Sequence, residues 1–410
     1  MKSVESFLDQ CLAVSGALPA LDVPLDSAIG SIVAADIAAV SDLPECDLAD
    51  GDGYAVVAES IAQASASHPV HLPVMGQIGV TAVSGGVLVP GSCAFVASGA
   101  PLPEGADAVV PVDATDRASA RVAIMRSVPR GANIRFKAAD LKKSVDFLHA
   151  GVRLDARHIA LLAAQGYASV PVHPVPRVVV LAVGDELQEP GREPHAGNHR
   201  ARRVYDASSY ALANAIRDMG IQVFRVGVVG DDKRILRETI EDQLVRADIL
   251  ITTGGLSYGG GDCVKEVLTA LGDVRFDAVA MWPCRQVGVG KIGSEATVFC
   301  LPGNPVSALT AFEVFIRPAL RTMAGYKNVE RYPLSARLSE PWDADPRVQE
   351  YVPARVLGNP QEGYTASLLI KHRQPVLSAL AQANGLAIIP AGGSERFESG
   401  TAVSCIIFDA

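Results

Sequence analysis

The chain is short of positive charge. Across 410 residues, 36 lysines and arginines stand against 45 aspartates and glutamates, a formal net charge of −9. This argues against a broad basic face for nucleic acid. Any anionic ligand must be met by local cations, helix N-termini or a bound metal. Paired cysteines are lacking too. The seven (Cys11, Cys46, Cys93, Cys263, Cys284, Cys300 and Cys405) are odd in number, far apart, and never form a CxxC. That speaks against a disulfide framework or a zinc cluster and for reduced thiols in a cytoplasmic protein. No hydrophobic run reaches the length of a membrane span, so no membrane partner is expected. The opening MKSVESFLDQCLAV carries Glu5 and Asp9 and reads as an amphipathic helix, not a signal peptide. Internal repeats and low-complexity segments are absent. A literal GxGxxG, Gly288 to Gly293, runs into the strand-like SEATVFC. A dinucleotide fingerprint needs a helix there, so the string reads as a β-turn segment.

What is present is ordinary globular material, 49% hydrophobic and 20% charged, enough for two to four domains. Residues 1 to about 25 read as helix, with Phe7, Leu8, Cys11 and Leu12 on one stripe. Residues 30 to 150 are rich in Val, Gly and Pro and read as a small, mostly β module. ARHIALLAAQGY follows as a helix closed by Gly166. From Pro176 strands and helices alternate. Strands fall at 177–183, 222–229, 247–253 and 297–301; helices start at an Asp206 cap, near Lys233, near Val264 and at Asn304-Pro305. This predicts an α/β, doubly wound and mostly parallel sheet, with ligands outside the C-terminal ends of its strands. After Tyr326, EYVPARV, GLAIIP and AVSCIIF predict a small C-terminal β domain.

Those strand ends carry the candidate chemistry. Glu186 follows one strand in GDELQEPG, Asp231 and Asp232 follow another, and Asp262 follows a third. Helix capping accounts for Asp206 and Asp232. It does not account for Glu186 and Asp262, which their helices do not need. Acids at neighbouring strand ends repel one another unless a cation lies between them. Mg²⁺ with phosphate oxygens is the natural occupant. The stretch TTGGLSYGGGDCVKEVL fits a phosphate loop, an acidic metal site or a flexible connection. In LPGNPVSALTAFE, the helix start at Asn304 offers free N–H groups to an anion and Ser307 a hydroxyl. The same string is also a well-capped core helix through Leu309 and Phe312. Asp47, Asp50 and Asp52 form an acidic cluster that lacks the glycine and glutamate of an EF-hand, and spacing alone reads as a solvated turn.

Together these strings resemble the MoeA family of molybdopterin molybdenumtransferases, to which the C-terminal domain of gephyrin is related. The resemblance runs through LPGNPVSALTAFEVFIRPAL, TTGGLSYGGGDCVKEVL, VGDELQEPG, SGAPLPEGADAVV, GANIRFKAADL and DLADGDGYAV, nearly the full chain. It implies four domains: an elongated dimerisation domain from 1–30 and 134–175, an inserted β-rich domain 31–133, an α/β molybdopterin-binding domain 176–326, and a β-barrel-like domain 327–410. It implies a homodimer with the active site between the α/β domain and the partner's β-rich domain. The implied reaction inserts molybdate into adenylylated molybdopterin with Mg²⁺, releasing AMP. The adenylylating enzyme and molybdoenzyme maturation factors are further implied partners.

By the same resemblance Asp47, Asp52, Asp140, Glu186 and Arg285 are catalytic, and Glu186, Asp231 and Asp262 hold the metal. Ser98, Gly254, Gly255, Ser257, Gly303, Asn304, Ser307 and Arg347 bind substrate. The chain also departs from the family. Leu48-Ala49 stands for Asn-Ser and Gly51 for Met; in MWPCRQVGVGKIG, Trp282 and Cys284 stand for a lysine and a glycine. Arg285 keeps the second lysine's charge, and Arg373-Gln374 stands for Gly-Ser. These departures open a second reading: a paralogue that carries molybdopterin or finished cofactor without turnover.

Overall fold

The structure, a computed structural model, describes residues 1–191, 203–256, 263–293 and 296–408. Two compact units emerge, one of residues 1–22, 30–34 and 171–410, the other of residues 23–29 and 35–170. Helix α1 is Val4–Val14, capped by the Ser3 side chain, which accepts from the Ser6 N–H. It stops well before residue 25, because Gly16, Pro19 and Pro24 follow and cannot sustain it.

The unit of residues 23–29 and 35–170 is built on five strands: β1 Gly53–Val56, β2 Val70–Ile78, β3 Cys93–Val96, β4 Ala108–Pro111 and β5 Arg121–Ile124. Their order is β4-β1-β3-β2-β5. Tyr54, Val56, Leu72, Val110 and Ile124 form its core. Gly53 lies so close to β4 that a Cβ would collide with the Val110 carbonyl, which explains a glycine in the DGDGY string. Helix α2, Ala156–Ala164, is opened by an Asp155–His158 capping box and closed at Gly166, with φ +79°.

The other unit contains the alternating region. Strands β6 Val178–Val183, β7 Val223–Val229, β8 Ile249–Thr253, β9 Gly272–Ala278, β10 Gln286–Ile292 and β11 Ala296–Leu301 form one sheet in the order β7-β6-β8-β11-β10-β9. The first four in that order are parallel, and β10 runs antiparallel to both neighbours. Helices α3 Ser208–Asp218, α4 Lys233–Leu244, α5 Cys263–Leu271 and α6 Pro305–Ala311 cover it. The continuous apolar strands are explained by burial on both faces. Val178 and Val180 pack with Leu212, Ile216 and Phe312, while Val179, Leu181 and Val183 pack with Leu236, Ile240 and Val264.

Two sequence expectations change here. Ala207, not Asp206, occupies the N-cap of α3, and Asp206 bonds one turn in, to the Ser209 N–H. The GxGxxG string is strand, not turn: Gly288 and Gly290 lie in β10, where a Cβ would press on the Phe276 ring and the Asp273 backbone of β9. Its glycines serve strand packing.

Strands β12 Leu334–Leu338, β13 Gln349–Asn359, β14 Gly363–Leu368, β15 Gly385–Ile389 and β16 Ala402–Ile407 close into a barrel in the order β13-β14-β12-β16-β15, with β15 returning to β13. Leu338, Trp342, Val352, Ala354, Ile389 and Cys405 fill it. Among the described residues no helix is long and apolar enough to cross a membrane.

Candidate functional site

The C-terminal ends of β6 and β7 lie side by side because the strands are parallel and pair Val183 with Val229. The chain leaves them through Gly184-Asp185-Glu186 and Gly230-Asp231-Asp232. The two turns interlock. The Asp185 N–H donates to Asp231 Oδ2 and the Asp231 N–H donates to Asp185 Oδ1, each at 3.1 Å. Glu186 folds back over Gly184, and Asp185 lies against Gly230, so a Cβ at either glycine would strike a carboxylate. The buried Cys263 at the start of α5 directs its Sγ to Asp231 Oδ1 at 3.4 Å. Asp232 is given to the fold: it caps α4 by accepting from the Arg234 and Ile235 N–H groups. Among the described residues no lysine or arginine forms an ion pair with Asp185, Glu186 or Asp231. Three carboxylates, Asp185, Glu186 and Asp231, thus follow the paired strand ends.

Beside this acidic edge lies a backbone floor. After β8, Gly254 and Gly255 take φ +94° and +64°, and a Cβ on Gly254 would collide with the Val183 carbonyl. The Gly254 N–H donates to the Leu301 carbonyl at 3.0 Å, and the Thr253 hydroxyl donates to the Pro302 carbonyl at 2.9 Å. Gly303 backs onto Gly254, and its carbonyl accepts from the Ser208 hydroxyl at 2.7 Å. Asn304 caps α6 through Val306 and Ser307 N–H groups. The loops after β8 and β11 and the start of α3 are thus one assembly. Lys265 in α5 reaches back to the Leu256 carbonyl at 3.4 Å. Ser257 and Asp262, expected in this site, lie outside the described residues. Ser307 is buried and its hydroxyl donates to the Pro283 carbonyl at 2.8 Å, so in this arrangement it serves packing instead of facing a ligand.

The remaining candidates fall into two groups. In the β-rich unit, Asp47 Oδ1 accepts from the Lys137 N–H and Asp52 Oδ1 from the Ser98 N–H, both at 2.7 Å. Asp140 pairs with Arg135 at 2.8 Å. The pairing of Leu48-Ala49 with Ile134-Arg135 and the bridge from Leu48 to Pro101 join three distant strings, 43–56, 98–110 and 131–141. Within the other unit, Arg347 is exposed and bonded to Asp345, whose carboxyl is held well below its usual range by that guanidinium. Arg373 bonds both Asp345 and the fully buried Glu350, which also accepts from Trp342 Nε1. Arg285 is exposed. Trp282 packs on the barrel core, and Cys284 is buried, which pushes its thiol far up.

Comparison with known proteins supplies the context. Three family profiles tile the chain: "MoeA N-terminal region (domain I and II)" over residues 2–166, "Probable molybdopterin binding domain" over 179–322, and "MoeA C-terminal region (domain IV)" over 335–408. Molybdopterin molybdenumtransferase 1 of Mycobacterium tuberculosis is 35% identical, covering 98% of both chains. The chain belongs to the molybdopterin molybdenumtransferase (MoeA) family. Molybdopterin molybdenumtransferase 2 of the same organism is 36% identical over 95% of this chain and 96% of its own length. The Bacillus subtilis molybdopterin molybdenumtransferase is 32% identical over 94% and 89%. A solved MoeA structure from Pyrococcus horikoshii superposes with a TM-score of 0.83 at 29% identity, covering 100% of this chain and 99% of that one.

The structure adds one acid to the candidates named from the sequence. Asp185 stands beside Glu186 in GDELQEPG, and the structure gives it the direct contact with Asp231. The signal was available: adjacent acids directly after a buried strand point to both sides of the turn, so either can face the neighbouring strand end.

Proposed function

We propose that this chain inserts molybdate into adenylylated molybdopterin, releasing AMP and yielding molybdenum cofactor. One observation carries the reading most directly: the interlocked Asp185–Asp231 turns stand at the strand ends beside the glycine floor of Gly254, Gly255 and Gly303. Among the described residues no group of three or more His, Cys, Asp or Glu residues converges as a metal cage. That donor set suits Mg²⁺, which takes one or two carboxylates and leaves its other positions to water and phosphate. Asp231 with one of Asp185 and Glu186 would hold it; Asp262, the remaining acid of the set that the family resemblance implies, lies outside the described residues. When bound, the ion supplies charge neutralisation on the phosphoanhydride.

The chain's own groups have separate tasks. Gly254 and Gly303 let the backbone approach a flat pterin and its phosphate. Asn304 orients the first N–H groups of its helix. Arg285 and Arg347 offer guanidinium charge to an oxyanion. Asp47, Asp52, Ser98 and Asp140 complete the site in a homodimer, each β-rich unit serving the partner chain. We place the protein in the cytoplasm, in keeping with a sequence whose seven cysteines are odd in number, far apart and without a CxxC.

The packing of Trp282 favours a second reading, a carrier that binds the pterin without turnover, because Trp282 stands where the family string has a lysine and supplies no cation. The test is to incubate the purified chain with adenylylated molybdopterin, Mg²⁺ and molybdate, following AMP and cofactor. Release of AMP with cofactor formation is expected. Pterin binding without AMP release would replace the enzyme by the carrier.

A further inference from the structure

Arg225 makes several contacts near the proposed site, and the reaction as described makes no use of it. It lies in β7 opposite Val180, immediately before a register shift that skips Val226 and resumes with Gly227 opposite Leu181. Such a bulge re-aims side chains. Here it sends the guanidinium across the base of the segment that carries Asp185 and Glu186. Arg225 donates through Nη1 to Glu189 Oε1 at 2.9 Å and through Nη2 to Glu189 Oε2 at 2.8 Å. Nη1 also reaches Asp206 Oδ2 at 3.3 Å and Ser209 Oγ at 3.2 Å. The plane stacks on the Tyr210 ring, 3.9 Å from its centroid, and the Tyr210 hydroxyl donates to Glu189 at 2.9 Å. Gly227, at φ +104°, leaves the notch in which the Glu189 carboxylate sits, 3.0 Å from where a Cβ would be.

The two acids held by Arg225 belong to the two arms of one ribbon. Leu187-Gln188 pairs with Val204-Tyr205. The Val204 N–H donates to the Glu186 carbonyl at 2.8 Å and the Asp206 N–H to the Gln188 carbonyl at 3.0 Å. Glu189 ends one arm; Asp206, 2% exposed, ends the other and also accepts from the Ser209 hydroxyl. Without the guanidinium, two carboxylates would face each other at the ribbon base in a poorly solvated place. One arm would have to move out, and the Glu186 backbone would move with it.

We propose that Arg225, seated by the bulge and by Gly227, is a positioning residue that fixes the Asp185–Glu186 turn for metal binding. The inference rests on the metal reading of that turn, and its test separates the two. Mn²⁺ binding to the full chain is measured by electron paramagnetic resonance for wild type, Arg225→Met, Arg225→Lys and Gly227→Ala. Backbone exchange at Leu187, Val204 and Asp206 is followed by hydrogen–deuterium exchange. Loss of an orienting outer contact weakens metal binding by about 10-fold or more. Arg225→Met and Gly227→Ala should do so and deprotect those three amides; Arg225→Lys, which keeps the charge but not the fork, should lie between. Arg225→Met that binds Mn²⁺ within about twofold of wild type, whatever its thermal stability, overturns the proposal. Should wild type and Asp231→Asn bind Mn²⁺ equally, the metal reading itself fails. The proposal as stated then falls with it, and the exchange data show whether Arg225 still holds the ribbon.

Discussion

At the scale of single residues, backbone geometry at the site leaves little freedom. Gly254 combines φ +94° with a would-be Cβ collision against the Val183 carbonyl. Gly254→Ala should therefore destabilise the chain by about 3 kcal/mol, read as a lower midpoint in urea denaturation. Thiol reactivity gives a second residue-level prediction. Cys46 is exposed and the other six are buried. Burial pushes Cys300 up to about 12 and Cys93 and Cys405 up to about 11. One thiol per chain should react within minutes with a disulfide reagent at pH 8, and Cys46→Ser should remove that fast phase; the others should appear on denaturation. Glu186 and Asp231 were legible in the sequence because each follows an apolar strand directly. Asp185 was not, because which of two adjacent acids turns toward the next strand depends on the twist of a turn that composition does not report. The direction of Ser307 is not read from sequence for a similar reason: a hydroxyl in the first turn of a helix can face out or in, and here it bonds the Pro283 carbonyl.

At the scale of elements, the parallel strands were readable because burial on both faces makes them continuously apolar. Strand β9, GDVRFDA, was not, since it is an antiparallel edge with alternating polarity and abuts α5 with no connecting loop. The barrel's closure shows in no local pattern, because it depends on β15 returning to β13 across many residues; only the family resemblance implied a barrel-like domain. Trp282 shows how an element constrains a site. It is packed against the barrel, so restoring the family's charge with Trp282→Lys should cost about 2 kcal/mol of stability, measured by denaturation, instead of simply rescuing activity. The start of β6 is tied to that of β8 by Arg177, whose side chain and N–H bond Asp248. Burial alone would raise the Asp248 carboxyl, but those bonds win and its folded value is lowered. A lowered carboxylate stabilises above its unfolded value, near pH 4, and that contribution fades as pH falls through the folded value. Asp248→Asn should thus melt earlier than wild type at pH 7, with the gap closing below about pH 4, as followed by circular dichroism.

At the scale of the whole molecule, the chain's segments find their partners far along the sequence. In the β-rich unit, residues 43–56, 98–110 and 131–141 converge through short pairings that no local pattern announces. Only the resemblance of the three strings to one family connected them beforehand. If the proposed homodimer holds, light scattering should return twice the 42.9 kDa chain mass, and a monomer at micromolar concentration would contradict it. Narrower than the dimer is the proposed role of the acids at the ends of β6 and β7, which would hold a metal ion that neutralises charge on the pterin–AMP linkage as it is cleaved. Its most direct test is single-turnover AMP release from adenylylated molybdopterin by Asp231→Asn, which can still accept the Asp185 N–H and so preserve the turn. The account predicts a loss of at least about 100-fold relative to wild type at saturating Mg²⁺; release within about twofold of wild type would contradict it.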